Sequence, residues 1–341
     1  MDLNTIWFLL VAVLLAGYAI LDGFDLGVGI LHLFIKGDTE RRLAINSIGP
    51  VWDGNVVWLV TGGGAVFAAF PEVYASAFSG FYTALMLLLV TMIFRAVAIE
   101  FRSKRPSPRW RQGWDIAFSV GSLGAALLLG VAFGNVAAGL PMDPQHNIDA
   151  GPLGVIGLLN PYAVLVGITT VVLFAMHGAI YLVLKTEGDL QIRIRSWVRP
   201  LIIGFVICYA LTTMATLLWH PHLAERMRVQ PWWFAIPVLT MLAVANVPRE
   251  IFHGREFRAF LSSSAAIGLL VTLVGVGLYP NLLLSEPTPE NSLNIINAAS
   301  SPKTLQIMLI IAAIGVPVVL AYTAAIYWIF RGKVKLEKTS Y

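Results

Sequence analysis

Long apolar stretches recur along the chain, separated by short polar connections that hold most of the charged residues and many of the prolines. Nine stretches stand out, at Ile6–Ile35, Ile45–Phe70, Tyr74–Phe101, Trp114–Gly139, Pro161–Lys185, Trp197–Trp219, Pro231–Phe252, Phe257–Tyr279 and Thr304–Phe330. Each reaches the roughly 20 residues that a helix rising about 1.5 Å per residue needs to cross about 30 Å of hydrocarbon. A transmembrane barrel is excluded, because its strands alternate polar and apolar positions with period two. The second stretch is the most polar of the nine, carrying Asn46, Pro50, Asp53, Gly54 and Asn55. The first has no basic residue before it and too long an apolar run for a cleavable leader, so it is predicted to remain as a helix.

Composition agrees with this pattern. Hydrophobic residues make up 57% of the 341 and charged residues 12%, about half the charged fraction that covers a soluble fold. Disorder, a coiled coil and a disulfide-stapled module are excluded, and the single Cys208 lies in an apolar run where packing is its expected role. The net charge of +4 is a matter of sidedness, since excess Lys and Arg mark the cytoplasmic face of a membrane protein; nucleic acid is not an expected partner, and lipid is. Nineteen of the 23 Lys and Arg residues follow the odd-numbered stretches, from Lys36 to Lys338. Three (Arg226, Arg228 and Lys303) lie opposite, and Arg95 is inside a stretch. The bias places the N-terminus outside and the C-terminus in the cytoplasm, with an odd number of spans.

A shift of about 155 residues brings Ala-Ile-Leu-Asp22-Gly onto Phe-Ala-Met-His177-Gly, and Arg95 to within one residue of Arg249. The expected fold is therefore an all-α integral membrane protein of nine transmembrane helices. It divides into two parallel four-helix repeats, 1–140 and 160–280, and a ninth helix at 304–331, all in one membrane domain spanning 1–341. An even number of spans per repeat makes the copies parallel.

Ionisable groups within hydrocarbon are costly and mark function by default. The first stretch holds Asp22 and Asp25, three apart and so on one helical face; the second holds Asp53, the third Arg95 and Glu100, and the fifth His177. Counted from the nearest cytoplasmic basic residue at about 1.5 Å per position, Glu100 lies about 3 Å deep, Arg95 about 10 Å, Asp53 and Asp25 about 16 Å, and Asp22 about 21 Å. Graded depth on three helices is what a proton-uptake route requires. The alternative is a structural ion-pair cluster, with Arg95 paired to Asp53 or Glu100. His177, alone on an apolar helix, reads as a packing residue, and no pair of His, Cys or Met residues makes an axial-ligand set for haem. Gly62-Gly63-Gly64 lacks the Lys and Ser/Thr of a phosphate loop and reads as close helix packing.

The runs Leu21-Asp22-Gly23-Phe24-Asp25-Leu26-Gly27, Thr39-Glu40-Arg41-Arg42, Trp52-Asp53-Gly54-Asn55-Val56-Val57-Trp58 and Phe94-Arg95 through Glu100-Phe101-Arg102 resemble subunit II of the cytochrome bd-type quinol oxidases, and the resemblance extends over the chain. It implies a subunit of a terminal oxidase of the bacterial cytoplasmic (inner) membrane that oxidises quinol and reduces dioxygen to water. The haem-bearing partner, subunit I, would hold haems b and d, and small accessory subunits occur in the family. This chain would act as scaffold and contribute to the proton path, with no catalytic group or metal of its own; some members also hold a structural quinone here. Motif matching puts the family's pathway residues at Asp53, Trp58, Arg95 and Glu100, with a first-helix acid at Asp22 or Asp25. Val56 departs from the pattern, because Glu or Gln is common there. A competing reading is a proton-coupled secondary transporter with parallel repeats, which requires binding groups from both halves at the midplane.

Overall fold

The computed structural model describes residues 2–149 and 154–336; Lys338, one of the basic residues used for orientation, lies outside them. Twelve α-helices are present among the described residues: α1 Leu3–Leu31, α2 Asp38–Ile48, α3 Trp52–Ala69, α4 Pro71–Gly80, α5 Tyr82–Phe101, α6 Pro108–Ala138, α7 Pro161–Lys185, α8 Gly188–Trp219, α9 His222–Val229, α10 Ala235–Phe252, α11 Glu256–Leu278 and α12 Pro302–Ile329. In hydrocarbon every backbone amide must be satisfied within its own segment, so long apolar runs become helices. Proline opens α4, α6, α7 and α12, where its missing N–H costs nothing. The side chains of Asp2, Asn160 and Ser301 accept from the third amide of their helices at 2.7, 2.8 and 3.2 Å.

Two of the expected stretches are broken. Ile45–Phe70 divides between α2 and α3 at Gly49-Pro50-Val51, where Pro50 removes a donor and restricts the residue before it. Tyr74–Phe101 divides at Phe81, giving the short α4 and the long α5. Among the described residues, eight helical segments are long and apolar enough to cross a membrane, and α3 is not among them because its first turn carries Asp53 and Asn55. The contacts of α3 nevertheless run the length of α1 in the antiparallel sense. At its start, Asn55 bonds to Leu21 and Asp25 of α1. At its end, the carbonyls of Ala68 and Ala69 accept from Ser300, just before α12, while the Trp7 indole on α1 donates to Leu305 on α12.

Helices α1, α6, α7 and α11 form the centre: α1 and α7 pack on each other, and each also packs on α6 and α11. Around them α3 lies on α1, α8 on α7, α5 on α6 and α10 on α11. The closest approach is between α1 and α7, where a Cβ added to Gly27 would overlap the Phe174 carbonyl and one added to Gly178 would overlap the backbone of Gly27. Only glycine allows two helical backbones to touch in this way. A small antiparallel ribbon, β1 Asn281–Leu283 with β2 Leu293–Asn294, lies between α11 and α12.

A buried carboxylate pair with one arginine

The central polar group assembles where the crowding around Gly23 and Gly27 fixes the rotation of α1. Asp22 and Asp25 on α1 are fully buried, and Arg95 on α5 is 1% exposed. Arg95 grips Asp22 with both ends of its guanidinium, Nη1 to Oδ2 at 3.1 Å and Nη2 to Oδ1 at 2.5 Å, the fork geometry that makes such pairs strong. Its Nη2 lies 3.7 Å from Asp25 Oδ2. That oxygen also accepts from Asn55 Nδ2 on α3 at 2.8 Å, and Asn55 Oδ1 accepts from the Tyr327 hydroxyl on α12 at 2.9 Å. Four helices therefore meet in one network.

Two carboxylates share one guanidinium, which leaves the group one positive charge short of neutral. Buried charges are normally paired one for one, because the desolvation of each ion is repaid only by a close partner. Among the described residues, Asp25 Oδ1 is buried without a hydrogen-bond partner, as are Arg95 Nε and the Tyr18 hydroxyl one turn from Asp22. A proton on Asp25 Oδ1 completes the charge balance, and it leaves an O–H that can be passed on.

Of the six residues singled out from sequence, Asp22, Asp25 and Arg95 come together. Asp53 is exposed at the start of α3, Glu100 is half-buried, and neither makes a side-chain hydrogen bond or ion pair among the described residues. Trp58 is half-buried with its ring packed on Gly17, in the space a Cβ there would occupy, and Val56 is half-buried beside Asn55 in the chain. Arg95 pairs with Asp22 rather than with Asp53 or Glu100. Depth counting sets Arg95 and Asp22 about 11 Å apart, because it takes Arg102 as the membrane edge. Arg102 is 2% exposed and held inside the protein.

Its place there is a second cluster that sequence reasoning missed. Asp115 on α6, 1% exposed, accepts from Arg102 Nε at 2.5 Å and Nη2 at 3.2 Å, and from Arg41 Nη1 on α2 at 2.9 Å. It also lies 2.6 Å from Nε2 of His32, which is fully buried in the turn after α1. Arg102 and Arg111 tie the outer edge to Asp38 at 2.9 and 2.7 Å. The available signal was a carboxylate four residues beyond Arg111, at the start of an apolar stretch. His177 behaves as a packing residue. Its Nδ1 lies 2.8 Å from Ser263 Oγ on α11, its Nε2 lies 3.1 Å from the Ile20 carbonyl on α1, and its ring stacks on Phe260.

Comparison with known proteins gives a consistent result. The family model for cytochrome bd terminal oxidase subunit II matches residues 3–330. The chain is 37% identical over 363 residues to the cytochrome bd-I ubiquinol oxidase subunit 2 of Escherichia coli (strain K12), covering 98% of this chain and 96% of that one. It is 35% identical over 336 residues to the cytochrome bd ubiquinol oxidase subunit 2 of Bacillus subtilis (strain 168), covering 98% and 97%. Its fold matches a chain of the bd oxidase from Geobacillus thermodenitrificans with a TM-score of 0.80 at 17% identity, covering 97% of this chain and 99% of that one.

Proposed function

The chain belongs to the cytochrome bd terminal oxidase subunit II family, and from that premise we propose that it handles protons and scaffolds the complex for a haem-bearing subunit I. Its relatives are subunits of a ubiquinol oxidase, so its part in catalysis is exercised within an oxidoreductase complex. Haems b and d in the partner would supply the redox chemistry that oxidises quinol and reduces dioxygen. Each electron delivered to dioxygen must be matched by a proton, and this chain's buried acids serve that supply from the cytoplasmic side of the bacterial inner membrane.

The observation that carries the reading is the unequal charge of the buried group, two carboxylates against one guanidinium with Asp25 Oδ1 unpartnered. Arg95 holds the Asp22 carboxyl in a two-point ion pair. Asp25 then takes and releases the proton, while Asn55, itself anchored by the Tyr327 hydroxyl, holds its other oxygen in place. Asp53, exposed, and Glu100, half-buried, complete the route where the partner covers them. A carboxylate facing lipid would be costly, and α3 and the neighbouring α12 both carry exposed apolar side chains, among them Val57, Val60, Ile307 and Ile311. On this reading α3, about 27 Å long, is the ninth crossing, and the helix pairings around α1 and α7 are those of two parallel repeats. An apolar cavity of about 800 Å³ between α7, α8 and α11, with Tyr18 in its lining, suits the apolar body of a structural quinone.

The transporter reading is less well supported, because the second half's central group, His177, has both ring nitrogens engaged. The test is oxygen consumption and proton uptake by the assembled complex carrying Asp25→Asn. Slow turnover at normal haem content supports the route, and unchanged turnover removes Asp25 from it.

A further inference from the structure

Among the described residues, three buried polar atoms without partners line up where α1 and the turn after it meet α6. Asp25 Oδ1 and His32 Nδ1 are seven residues apart, and between them Gly29 faces Ser122 Oγ of α6. Asp25, His32 and Ser122 are each fully buried. Positions 25, 29 and 32 share a helical face, with axial steps of about 6 and 4.5 Å. On α6 the facing residues Asp115, Ser119 and Ser122 repeat the same spacing of four and three, all buried. Gly29 allows this seam to exist, because a Cβ there would overlap the Ser122 hydroxyl. Ser119 donates to the Gly29 carbonyl at 2.6 Å and fixes the register of the two helices. Phe118 stands edge-on to His32 with ring centroids 5.1 Å apart and walls the seam.

Buried polar atoms in native proteins are almost always bonded, to protein or to ordered water. Three unbonded atoms in file, each within one or two hydrogen-bond lengths of the next along the axis, suit a short chain of water. We propose that the α1–α6 seam is a proton entry from the cytoplasm, running from the Asp115–His32 pair past the Ser122 hydroxyl to Asp25. The inference rests on the proton-handling role of Asp25 and adds the residues that feed it.

The transfer conserves protons at every step. His32 takes a proton on one ring nitrogen as it gives one from the other, Ser122 likewise accepts and donates through its hydroxyl, and an O–H forms on Asp25 Oδ1. The charged groups facing His32 favour passage over capture. The charge of Asp115 is already matched by Arg41 and Arg102, and Asp38 by Arg102 and Arg111, so no free carboxylate remains to hold an imidazolium.

The experiment uses the assembled complex with its partner subunit, purified at normal haem content, and compares Ser122→Ala, His32→Gln and Asp25→Asn with the parent. Oxygen turnover is measured in light and heavy water. Ser122→Ala removes one oxygen atom and little else, so it keeps the test open should His32→Gln fail to assemble. The expected result is a three- to tenfold slower turnover in Ser122→Ala with a larger solvent isotope effect. Parental turnover in Ser122→Ala, or slower turnover with an unchanged isotope effect, overturns the seam while a slow Asp25→Asn leaves the wider reading standing. Parental turnover in Asp25→Asn overturns that wider reading itself.

Discussion

Asp22 on α1 and His177 on α7 sit about 155 residues apart, each followed by a glycine at the contact between the two central helices. One position carries charge and the other does not. Around His177 every polar atom is answered: Ser263 and the Ile20 carbonyl engage the ring nitrogens, and Phe24 and Phe260 enclose the ring. Around Asp22 the account does not close, since a second carboxylate lies beside the same arginine and three polar atoms stay unpartnered. The comparison separates holding helices together from moving a proton. A satisfied network rigidifies its surroundings, whereas a network one charge short needs an exchangeable ion to complete it. In the second half the position is satisfied by its neighbours, and in the first half the proposed function gives it chemistry.

The comparison can be broken in order of effect. Arg95→Ala leaves two buried carboxylates without a cation and is expected to cost about 3–5 kcal/mol, read as loss of assembled complex or a lowered Tm; normal assembly would mean that the acids are already neutral. Asp25→Asn keeps the packing and removes the exchangeable proton. Turnover is expected to fall about a hundredfold, in the range for losing a positioned proton carrier, with Asp22→Asn costing assembly more than rate. His177→Phe removes the hydrogen bonds to Ser263 and the Ile20 carbonyl, at about 1–3 kcal/mol of stability, and oxygen turnover per assembled complex is expected to be unchanged. A turnover defect there would erase the contrast between the halves. The smallest effect is in the loop after α6, where the side chain and amide of Asn147 hold the exposed Asp143 carboxyl below its ordinary range. Asn147→Ala raises that pKa toward the ordinary carboxylate value. A group with a depressed folded-state pKa contributes stability above its unfolded value and loses it as pH falls, so the variant should differ from the parent near neutral pH and converge with it in acid, as read by the pH dependence of Tm.

Much of the helical architecture was legible because hydrocarbon permits few alternatives: apolar runs of sufficient length become helices, and Asp22 and Asp25, three residues apart, must share a face. The breaks at Gly49-Pro50-Val51 and Phe81 were harder to see, because the apolar pattern passes through both. Depth along a helix axis was readable, but rotation about it was not, so Arg95 was offered Asp53 or Glu100 as partners when packing aims it at Asp22. Asn55 stood within a recognised motif without an assigned role. Tyr327, which completes the network, comes from 272 residues away, a distance no local pattern bridges. Asp115 was hidden by its setting, since a carboxylate shortly after several basic residues looks like an interfacial charge until the fold buries it.

The central claim is that Asp25 carries a proton that exchanges. Infrared difference spectroscopy of the complex between its oxidised and reduced states reads this directly, through the carbonyl stretch of a protonated carboxylic acid. The account predicts such a band, shifted in heavy water, present in the parent and missing in Asp25→Asn. A parent spectrum without it, or a band that persists unchanged in Asp25→Asn, would contradict the account.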